Sequence, residues 1–288
     1  MLYPLVSVVI PCYNHELFVQ DAIQSVIDQD YNNIELIIID DGSQDNSVLQ
    51  IQEMIEFCKK RFVRFEFRSR ANIGLSASLN EALAWCKGEY YSAIASDDIM
   101  LPEKTLIQVR FLNINKDMNG VFGNAKLINS DGMEVNIIKT SKRKLTFKNI
   151  ILSNYTIIAP SQMLRVNAIR DLGRDPYPID IKVEDWYMWL KLSEKGLLAN
   201  IQEDLVKYRL HENNIMKNVD LISKSRIEVI NHFKYSKFYR RGLRLVYLIN
   251  YIEKYQKIPM SLLKEYPRII LDILFYKKSL QLLINKLK

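Results

Sequence analysis

Apolar runs and amphipathic stretches alternate along the first hundred residues of the chain. Residues 5–14 and 34–40 are nearly continuous apolar runs, as in strands that are covered on both faces. Between them, residues 18–27 carry apolar side chains at helical spacing. The same signals predict a helix over 48–58, a strand over 63–67, a helix over 74–88 and a strand over 89–96. This alternation predicts a parallel α/β sheet wound through right-handed crossovers.

The strict alternation fades in the second part of the chain. A helix over 105–114 is followed by two β-rich runs with a turn at Asp131-Gly132, which predicts a hairpin. Residues 183–196 form a helical pattern with acids in its first turn and glycine at its end. We therefore expect a more irregular second half, with one further well-defined helix.

Charge is distributed unevenly along the 288 residues. Residues 217–288 carry sixteen Lys and Arg against five Asp and Glu, whereas the preceding residues carry 24 against 28. This contrast predicts a boundary near residue 216, with a basic segment after it. The segment also has apolar positions at helical spacing, so it is expected to be helical.

The cysteines and the hydropathy of the chain limit the classes of protein to which it can belong. Cys12, Cys58 and Cys86 form neither an even set nor a CxxC pair, so we expect reduced thiols within the core. The N-terminus lacks a signal-peptide pattern, and no run of about 18 uncharged apolar residues suggests a transmembrane helix. These features predict a globular cytoplasmic protein.

Two acid pairs stand at the ends of predicted strands. Asp40-Asp41 and Asp97-Asp98 lie where parallel strands present their carboxyl ends, the edge at which such sheets bind ligands. Adjacent acids at a core boundary repel each other and resist desolvation, and a divalent cation would relieve both effects. Two alternatives stay open: "DDGS" is also ordinary turn chemistry, and Ser96–Asp98 could cap the helix after Pro102.

Three segments carry a family resemblance. "SVVIPCYNHELFVQDAIQSVIDQDYNNIELIIIDDGSQDNS", "RANIGLSASLNEALAWCKGEYYSAIASDDIMLPEK" and "VEDWYMWLKL" occur in this order within residues 5–215. Together they resemble the family 2 glycosyltransferases. The resemblance implies a GT-A fold, a Rossmann-like, mostly parallel central sheet flanked by helices. It also implies a catalytic domain over 1–215, with a nucleotide-binding half (1–100) and an acceptor-binding half (101–215). A basic helical C-terminal extension (216–288) would follow.

The same resemblance implies transfer of a sugar from a nucleotide donor with inversion at the anomeric carbon. Pro11, Tyr13 and Asn14 match positions that line the nucleotide. Asp41 matches a carboxylate that accepts a hydrogen bond from the uracil N3–H. Asp97 would contact the ribose or assist the metal.

The implied cofactor is Mn²⁺ or Mg²⁺. Asp98 matches the ligand of the ion that bridges the diphosphate, and His211 of "YRLH" matches a position near the diphosphate or metal. Many members read D-x-D-D where this chain has Ala95-Ser96-Asp97-Asp98, so the first acid is absent. His211 has no second histidine nearby in the sequence, which argues against a zinc-type cluster. His15 and His232 are interpreted as surface or loop residues.

The implied general base is Asp185 of "VED". Glu184 beside it is expected to orient a neighbouring group, and Trp186 and Trp189 are acceptor-side candidates that either fill the core or stack on a sugar. The alternative for the acids is structural, because carboxylates at a helix start are stabilised by the helix dipole whatever their function.

The partners follow from these assignments. A carboxylate that reads N3–H favours uracil or thymine, so a UDP-hexose or UDP-N-acetylhexosamine is the first choice of donor and a dTDP-sugar the second. The resemblance implies a glycan acceptor carried on undecaprenyl diphosphate, as in O-antigen or capsule synthesis. The basic extension would contact anionic lipid at the inner face of the cell membrane, or pack on the catalytic domain. No motif indicates nucleic acid.

Two other classes of function compete with this interpretation. A nucleotidyltransferase would carry a glycine-rich, basic phosphate loop after its first strand, and "PCYNHE" has neither glycine nor lysine. A non-catalytic sugar-nucleotide-binding protein is the other alternative. The presence of both the metal-type and the base-type acids argues against it.

Overall fold

The fold is built on one sheet between two layers of helices. The computed structural model describes residues 3–140, 143–211 and 218–255. Its strands are β1 (Val6–Cys12), β2 (Ile34–Asp40), β3 (Arg64–Ser69), β4 (Tyr90–Ala93), β5 (Ile99–Met100), β6 (Met118–Ile128), β7 (Glu134–Ile138), β8 (Arg143–Leu145), β9 (Met163–Arg165) and β10 (Leu197–Arg209). Its helices are α1 (Val19–Ile27), α2 (Ser47–Arg61), α3 (Leu75–Trp85), α4 (Lys104–Ile114), α5 (Phe147–Ile151), α6 (Val166–Arg170), α7 (Glu184–Lys195), α8 (Val219–Asn231) and α9 (Tyr239–Tyr255).

The sheet is mostly parallel, as the sequence predicted. Its order is β3-β2-β1-β4-β9-β6-β10-β5, with β7 paired to β6 and β8 to β10. Strands β3, β2, β1, β4, β6 and β10 share one direction, and β9 is inserted antiparallel between β4 and β6. The predicted strands and helices of the first hundred residues, the hairpin of β6 and β7, and helix α7 are all confirmed.

Hydrophobic cores lie on both faces of this sheet. Every residue of β2 is buried, and its side chains alternate between the two cores, because neighbouring strand residues point to opposite faces. Helices α1, α2 and α4 cover one face, and α3, α5, α6 and α7 cover the other. The nearly continuous apolar run at 34–40 is thus explained by a strand with no solvent-facing side.

Helices α8 and α9 pack against the rest of the chain. Ile222 and Val229 of α8, and Leu245 and Val246 of α9, belong to the same core as Leu190 of α7. The start of the predicted extension therefore lies on the α/β domain, while residues 256–288, which carry most of its predicted amphipathic stripe, lie outside the described residues. The boundary near 215 stays a prediction. Within the described residues, no helix has the length and apolar character required to cross a membrane.

The three cysteines are buried and unpaired, as predicted. Burial raises the pKa of the Cys12 thiol to about 11 and that of Cys86 to about 12. These thiols therefore remain protonated at neutral pH and serve as small core side chains.

Lys104 is an unusual member of the core. Its side chain has no exposed surface, and its Nζ donates hydrogen bonds to Ser92 Oγ at 2.7 Å and to the Gln162 carbonyl at 3.2 Å. Burial lowers the pKa of this amine to about 7. The unfolded chain therefore binds more protons than the folded chain between pH 7 and the ordinary lysine pKa, and stability contributed by this group rises with pH in that window.

Replacing Lys104 by Met should stabilise the protein most at neutral pH. The advantage of Lys104→Met over wild type in free energy of unfolding should shrink by about 1.4 kcal/mol for each pH unit from 7 towards 10. Urea unfolding at several pH values measures this. The exposed Lys116 provides the control variant Lys116→Met, which removes the same charge from the surface instead of the core. A pH-independent difference for Lys104→Met would contradict the prediction.

Candidate active site

The candidate site lies at the carboxyl edge of the parallel strands. The loops after β1, β2 and β4 meet there because these strands are neighbours with a common direction. The end of β10 reaches the same edge, where the Arg209 N–H donates to Asp98 Oδ1 at 2.9 Å and His211 Nε2 lies 2.8 Å from Asp97 Oδ2. The two acid pairs singled out in the sequence thus share one edge with the end of β10.

The loops after β1 and β2 are tied together by Asn14. Its backbone is in the left-handed region with φ 53°, its N–H donates to Ser43 Oγ at 2.9 Å, and its Oδ1 accepts from the Gln44 N–H at 2.8 Å. Tyr13 beside it is 44% exposed, whereas Pro11 is half-buried within β1. Tyr13 and Asn14 are therefore accessible at the site, and Pro11 belongs to the strand that supports them.

Asp40 is a turn residue, as one alternative held. Its Oδ1 accepts from the backbone N–H of Gly42 and Ser43 at 3.2 and 3.1 Å, and from Ser69 Oγ at 3.2 Å. Gly42 has φ 79°, and a Cβ there would approach the Asn72 backbone nitrogen to 2.6 Å. Only glycine lets this turn lie so close to the next loop.

That close approach directs Asp41 onto the loop before α3. Asp41 is 5% exposed, and its Oδ1 accepts from Arg70 and from the Ile73 N–H at 3.0 Å. Its Oδ2 accepts from the Gly74 N–H at 2.9 Å. A carboxylate has about four acceptor positions, so Oδ2 retains one for a further donor.

The loop of Asp97 and Asp98 is held by the buried side chain of Arg209. Its Nε donates to the Asp97 carbonyl at 2.9 Å, its Nη1 to the Ser130 carbonyl at 2.9 Å and its Nη2 to Asp21 Oδ2 at 2.9 Å. Arg209 thereby joins the acid loop to the β6–β7 turn and to α1. The sequence analysis did not single out this residue, although it stands two positions before His211.

The helix-capping alternative for Ser96–Asp98 is wrong. Helix α4 begins after Glu103 and has no side-chain cap, while Asp98 accepts from β10 instead. Burial, and then the adjacent Asp97, raise the pKa of Asp98 well above its ordinary value. This is the repulsion between neighbouring acids that a divalent cation would relieve.

His15 joins His211 and Asp97 in one cluster. One ligand-capable atom from each residue lies within 4.8 Å of the other two. The imidazoles meet edge to face with ring centroids 5.6 Å apart. The sequence argument against a second histidine is therefore wrong, because the fold brings together two histidines that are remote in the chain. The position of His15 directly after "PCYN" was the signal that could have revealed it.

The first turn of α7 is positioned by the segment before it. Asn80 of α3 donates to the Tyr177 carbonyl at 2.8 Å and accepts from the Tyr177 N–H at 3.0 Å. Ser76 Oγ, nearer the start of α3, lies 3.4 Å from the Ile181 carbonyl. Because α3 begins at the Asp41 loop, these contacts hold the start of α7 on that side of the sheet.

Glu184 and Asp185 are half-buried neighbours with different proton affinities. Burial, and then Asp185, raise the pKa of Glu184 to about 8. Burial raises the pKa of Asp185 to about 6, opposed by the Trp186 N–H at 2.6 Å and by Arg226 of α8. Burial thus raises both pKa values, and it raises that of Glu184 more than that of Asp185. The predicted extension contributes to this balance through Arg226.

The two tryptophans lie in the core. Trp186 and Trp189 are 7% and 4% exposed, and the Trp189 ring packs against Phe122 and Tyr155 with centroids 5.5 and 6.2 Å away. Neither indole Nε1 has a hydrogen-bond partner among the described residues. Their burial fits the core alternative, and a role for either in acceptor binding stays a prediction.

Comparison with known proteins agrees with this fold. The sequence model of the family described as "Glycosyl transferase family 2" matches residues 7–173. An uncharacterized glycosyltransferase of Haemophilus influenzae is 32% identical over 223 residues, 73% of this chain and 67% of that protein. The chain therefore belongs to glycosyl transferase family 2 and is a glycosyltransferase.

Other relatives vary in length. The Escherichia coli protein named UDP-Glc:alpha-D-GlcNAc-diphosphoundecaprenol beta-1,3-glucosyltransferase WfgD is 27% identical, over 86% of this chain and 92% of its own. An uncharacterized glycosyltransferase of Rickettsia felis is 30% identical, but the chain spans only 36% of its length. The shared region is thus found alone in some relatives and as a part of longer proteins in others.

Solved structures confirm the predicted GT-A architecture. TarS 1-349 of S. aureus in complex with UDP-GlcNAc superimposes with a TM-score of 0.67 at 16% identity, covering 90% of this chain and 75% of TarS. The mannosyltransferase PcManGT of Pyrobaculum calidifontis in complex with GDP-Man and Mn2+ gives 0.64 at 13% identity, covering 99% and 86%. At such identities the likeness shows the fold alone.

Proposed function

We propose that this glycosyltransferase transfers a hexose or N-acetylhexosamine from a UDP-sugar to a hydroxyl of a glycan acceptor, with inversion. The observation that carries the proposal is the cluster of Asp97 and His211 at the same sheet edge as Asp41. A site for a nucleoside diphosphate needs residues that bind the base and residues that hold a cation at the diphosphate. This edge of the sheet has residues suited to each task. Acceptor chemistry would lie at the start of α7.

The donor's base would be read by Asp41. Its remaining acceptor position on Oδ2 suits the N3–H of uracil, and the exposed ring of Tyr13 is available to stack on the base. Both UDP-GlcNAc, present in the TarS complex, and UDP-Glc, in the name of WfgD, agree with this choice. Thymine also presents N3–H, so a dTDP-sugar is the second candidate.

The cation would be Mn²⁺ or Mg²⁺, and the residues present suit such an ion. Asp97 Oδ2 and His211 Nε2 offer an oxygen and a nitrogen donor side by side. Sequence reasoning assigned the ion to Asp98, but the Oδ1 of that residue is engaged by β10 and its side chain is 1% exposed. We therefore assign the ion to Asp97, and we assign to Asp98 a buried supporting position in the same loop. When bound, the cation would neutralise the charge that develops on the diphosphate.

Asp185 would act as the general base. Its pKa of about 6 leaves it ionised at neutral pH, yet basic enough to remove the proton of an acceptor hydroxyl as the oxygen attacks the anomeric carbon. The bond to UDP breaks as the new glycosidic bond forms on the opposite face, which inverts the anomeric carbon. Glu184, whose pKa is raised by burial and by Asp185, would orient its surroundings by hydrogen bonding.

The acceptor would be a lipid-linked glycan of surface-polysaccharide synthesis. Support comes from WfgD, whose name specifies a GlcNAc-diphosphoundecaprenol acceptor. The basic surplus of residues 217–288 would suit peripheral contact with an anionic membrane. Sedimentation with anionic vesicles at low salt, with release at high salt, would test that contact. Equal recovery in the supernatant at both salt concentrations would refute it.

The proposed donor and cation predict a specific pattern of ligand stabilisation. One of UDP-Glc, UDP-Gal, UDP-GlcNAc or UDP-GalNAc should raise the melting temperature with MnCl₂ and much less in EDTA. A ligand at 100 times its Kd stabilises by about 2.7 kcal/mol, which a melting experiment resolves easily. A dTDP-sugar and GDP-Man serve as comparisons.

Transfer to a synthetic lipid-diphosphate sugar should then follow for the stabilising donor. Stabilisation by no UDP-sugar would contradict the donor assignment. Stabilisation without transfer or hydrolysis would favour a sugar-nucleotide-binding protein.

A further inference from the structure

We propose that His15 is a third protein ligand of the cation, and that the set of two imidazoles and one carboxylate selects a transition-metal ion over Mg²⁺. The inference rests on the proposed metal-dependent function and specifies the ion that this site takes. It concerns a residue for which sequence reasoning gave no role.

The first observation is the meeting of His15, Asp97 and His211. The ligand-capable atoms lie within 4.8 Å of one another, so a single ion placed among them could contact all three. The side chains of His211 and Asp97 are 7% and 9% exposed, which leaves them shielded from bulk water. The chain has three histidines, and two of them converge on this carboxylate.

The second observation is that His15 is held in place. Its Nδ1 lies 2.7 Å from Ser96 Oγ, and its backbone N–H donates to Ser47 Oγ at 2.8 Å. Phe18 packs beside the ring at a centroid distance of 6.1 Å. A ligating histidine is commonly oriented by a hydrogen bond at its other ring nitrogen, and the Ser96 contact at Nδ1 would do this for a cation held at Nε2.

The third observation concerns Ala95. This residue is exposed at the site and stands where a D-x-D-D pattern would place its first acid, so that position supplies no oxygen ligand. A loop with fewer carboxylates loses the ligands that Mg²⁺ prefers. His15 from the neighbouring β1 loop offers a nitrogen donor instead.

The donor set decides between ions. Mg²⁺ requires a near-ideal octahedron of oxygen ligands, whereas imidazole suits later divalent ions and affinity rises from Mn²⁺ towards Co²⁺ and Zn²⁺. Two imidazoles and one carboxylate leave positions for diphosphate oxygens and water. We therefore expect Co²⁺ and Mn²⁺ to bind in preference to Mg²⁺, with His15 supplying much of the preference.

The experiment measures metal binding in the full chain without any transfer reaction. Mn²⁺ is titrated and followed by electron paramagnetic resonance, with MgCl₂ as competitor, for wild type, His15→Gln and His15→Asp. His232→Gln is the matched control, because that histidine lies beside Tyr187, at a ring-centroid distance of 5.2 Å, and outside the cluster. Melting temperatures establish that each variant is folded.

The expected result is a loss of at least about tenfold in Mn²⁺ affinity for His15→Gln, with little change in Mg²⁺ affinity. His15→Asp should move the preference towards Mg²⁺, and His232→Gln should match wild type. Nitrogen-14 couplings to bound Mn²⁺ should indicate two imidazoles in wild type and one in His15→Gln.

Equal Mn²⁺ affinity and equal nitrogen couplings in wild type and His15→Gln would overturn the inference, while the proposed transfer would stand if donor binding still needed the ion. Absence of Mn²⁺ binding in wild type, with and without UDP, would overturn both the inference and the metal-dependent part of the proposed function. Transfer that fails while His15-dependent Mn²⁺ binding persists would reject the function and keep the metal site.

Discussion

Turnover of the Asp185→Asn variant is expected to fall by about 10²–10⁴-fold, the usual contribution of a general base. The asparagine keeps the size of the side chain and can still accept from the Trp186 N–H, so the start of α7 should be preserved. Donor affinity should hardly change, because the base acts on the acceptor hydroxyl. Steady-state transfer rates and calorimetric UDP binding measure the two quantities separately.

Two further variants sharpen this prediction. Asp180→Asn alters an exposed acid shortly before the same helix and should leave turnover unchanged. Glu184→Gln keeps the size of the side chain and removes only its ability to ionise, and it should reduce turnover much less than Asp185→Asn. Near-normal turnover of Asp185→Asn would remove this residue from the role. Retention of the donor's anomeric configuration in the product, read by NMR, would reject direct displacement.

The pH dependence of kcat/KM should also follow from the ionisation of Asp185. Because the active form of Asp185 is the carboxylate and its pKa lies at about 6, kcat/KM should decrease tenfold for each pH unit below that value. The Asp185→Asn variant should lack this acid limb. A wild-type profile that stays flat between pH 7 and 4.5, while the protein remains folded, would place the base elsewhere.

UDP binding by the Asp97→Asn variant should become independent of the divalent ion. We expect metal-dependent affinity to fall by at least about 100-fold, equivalent to about 2.7 kcal/mol, because the amide is a much poorer ligand than the carboxylate. Calorimetry of UDP binding with MnCl₂ and with EDTA measures the effect. Unchanged affinity in EDTA for wild type would refute the assignment of a metal to this site.

Asp98→Asn provides the decisive comparison. Its amide oxygen can still accept from the Arg209 N–H, so the loop should keep its shape. If Asp97 holds the ion, Asp98→Asn should retain most of the metal-dependent binding. If Asp98 holds the ion, as the sequence motif indicates, Asp98→Asn should lose the metal-dependent UDP binding and Asp97→Asn should retain most of it.

The regular part of the fold could be predicted from local patterns. Strand β2 follows the predicted range of 34–40 because a short run this rich in apolar residues is either a doubly covered strand or a buried helix, and its length favours the strand. The antiparallel insertion of β9 (Met163–Arg165) could not be predicted, since three residues carry no periodicity. Its place between β4 and β6 depends on contacts that are remote in sequence.

The site, like the fold, has a part that local sequence predicts and a part that depends on contacts remote in sequence. The acid pairs stand at the ends of predicted strands, and the VED acids were identified through the family resemblance, so both could be found from local sequence. The pairing of His15 with His211 depends on β1 and β10 ending at the same edge, which no window of sequence contains. The hydrogen bond from the Arg209 backbone N–H to Asp98 could not be predicted either. Every residue except proline has a backbone N–H, so the residue type gives no indication of such a donor.

The contacts of Arg209 and His211 with the acid loop have a consequence for synthesis of the chain. Asp97 and His211 are separated by 114 positions, so a ribosome adding about 5–20 residues per second supplies His211 roughly 6–23 s after Asp97. During that interval the nascent β4 edge holds two adjacent acids without the arginine and histidine that later contact them. A late, long-range step completes the site.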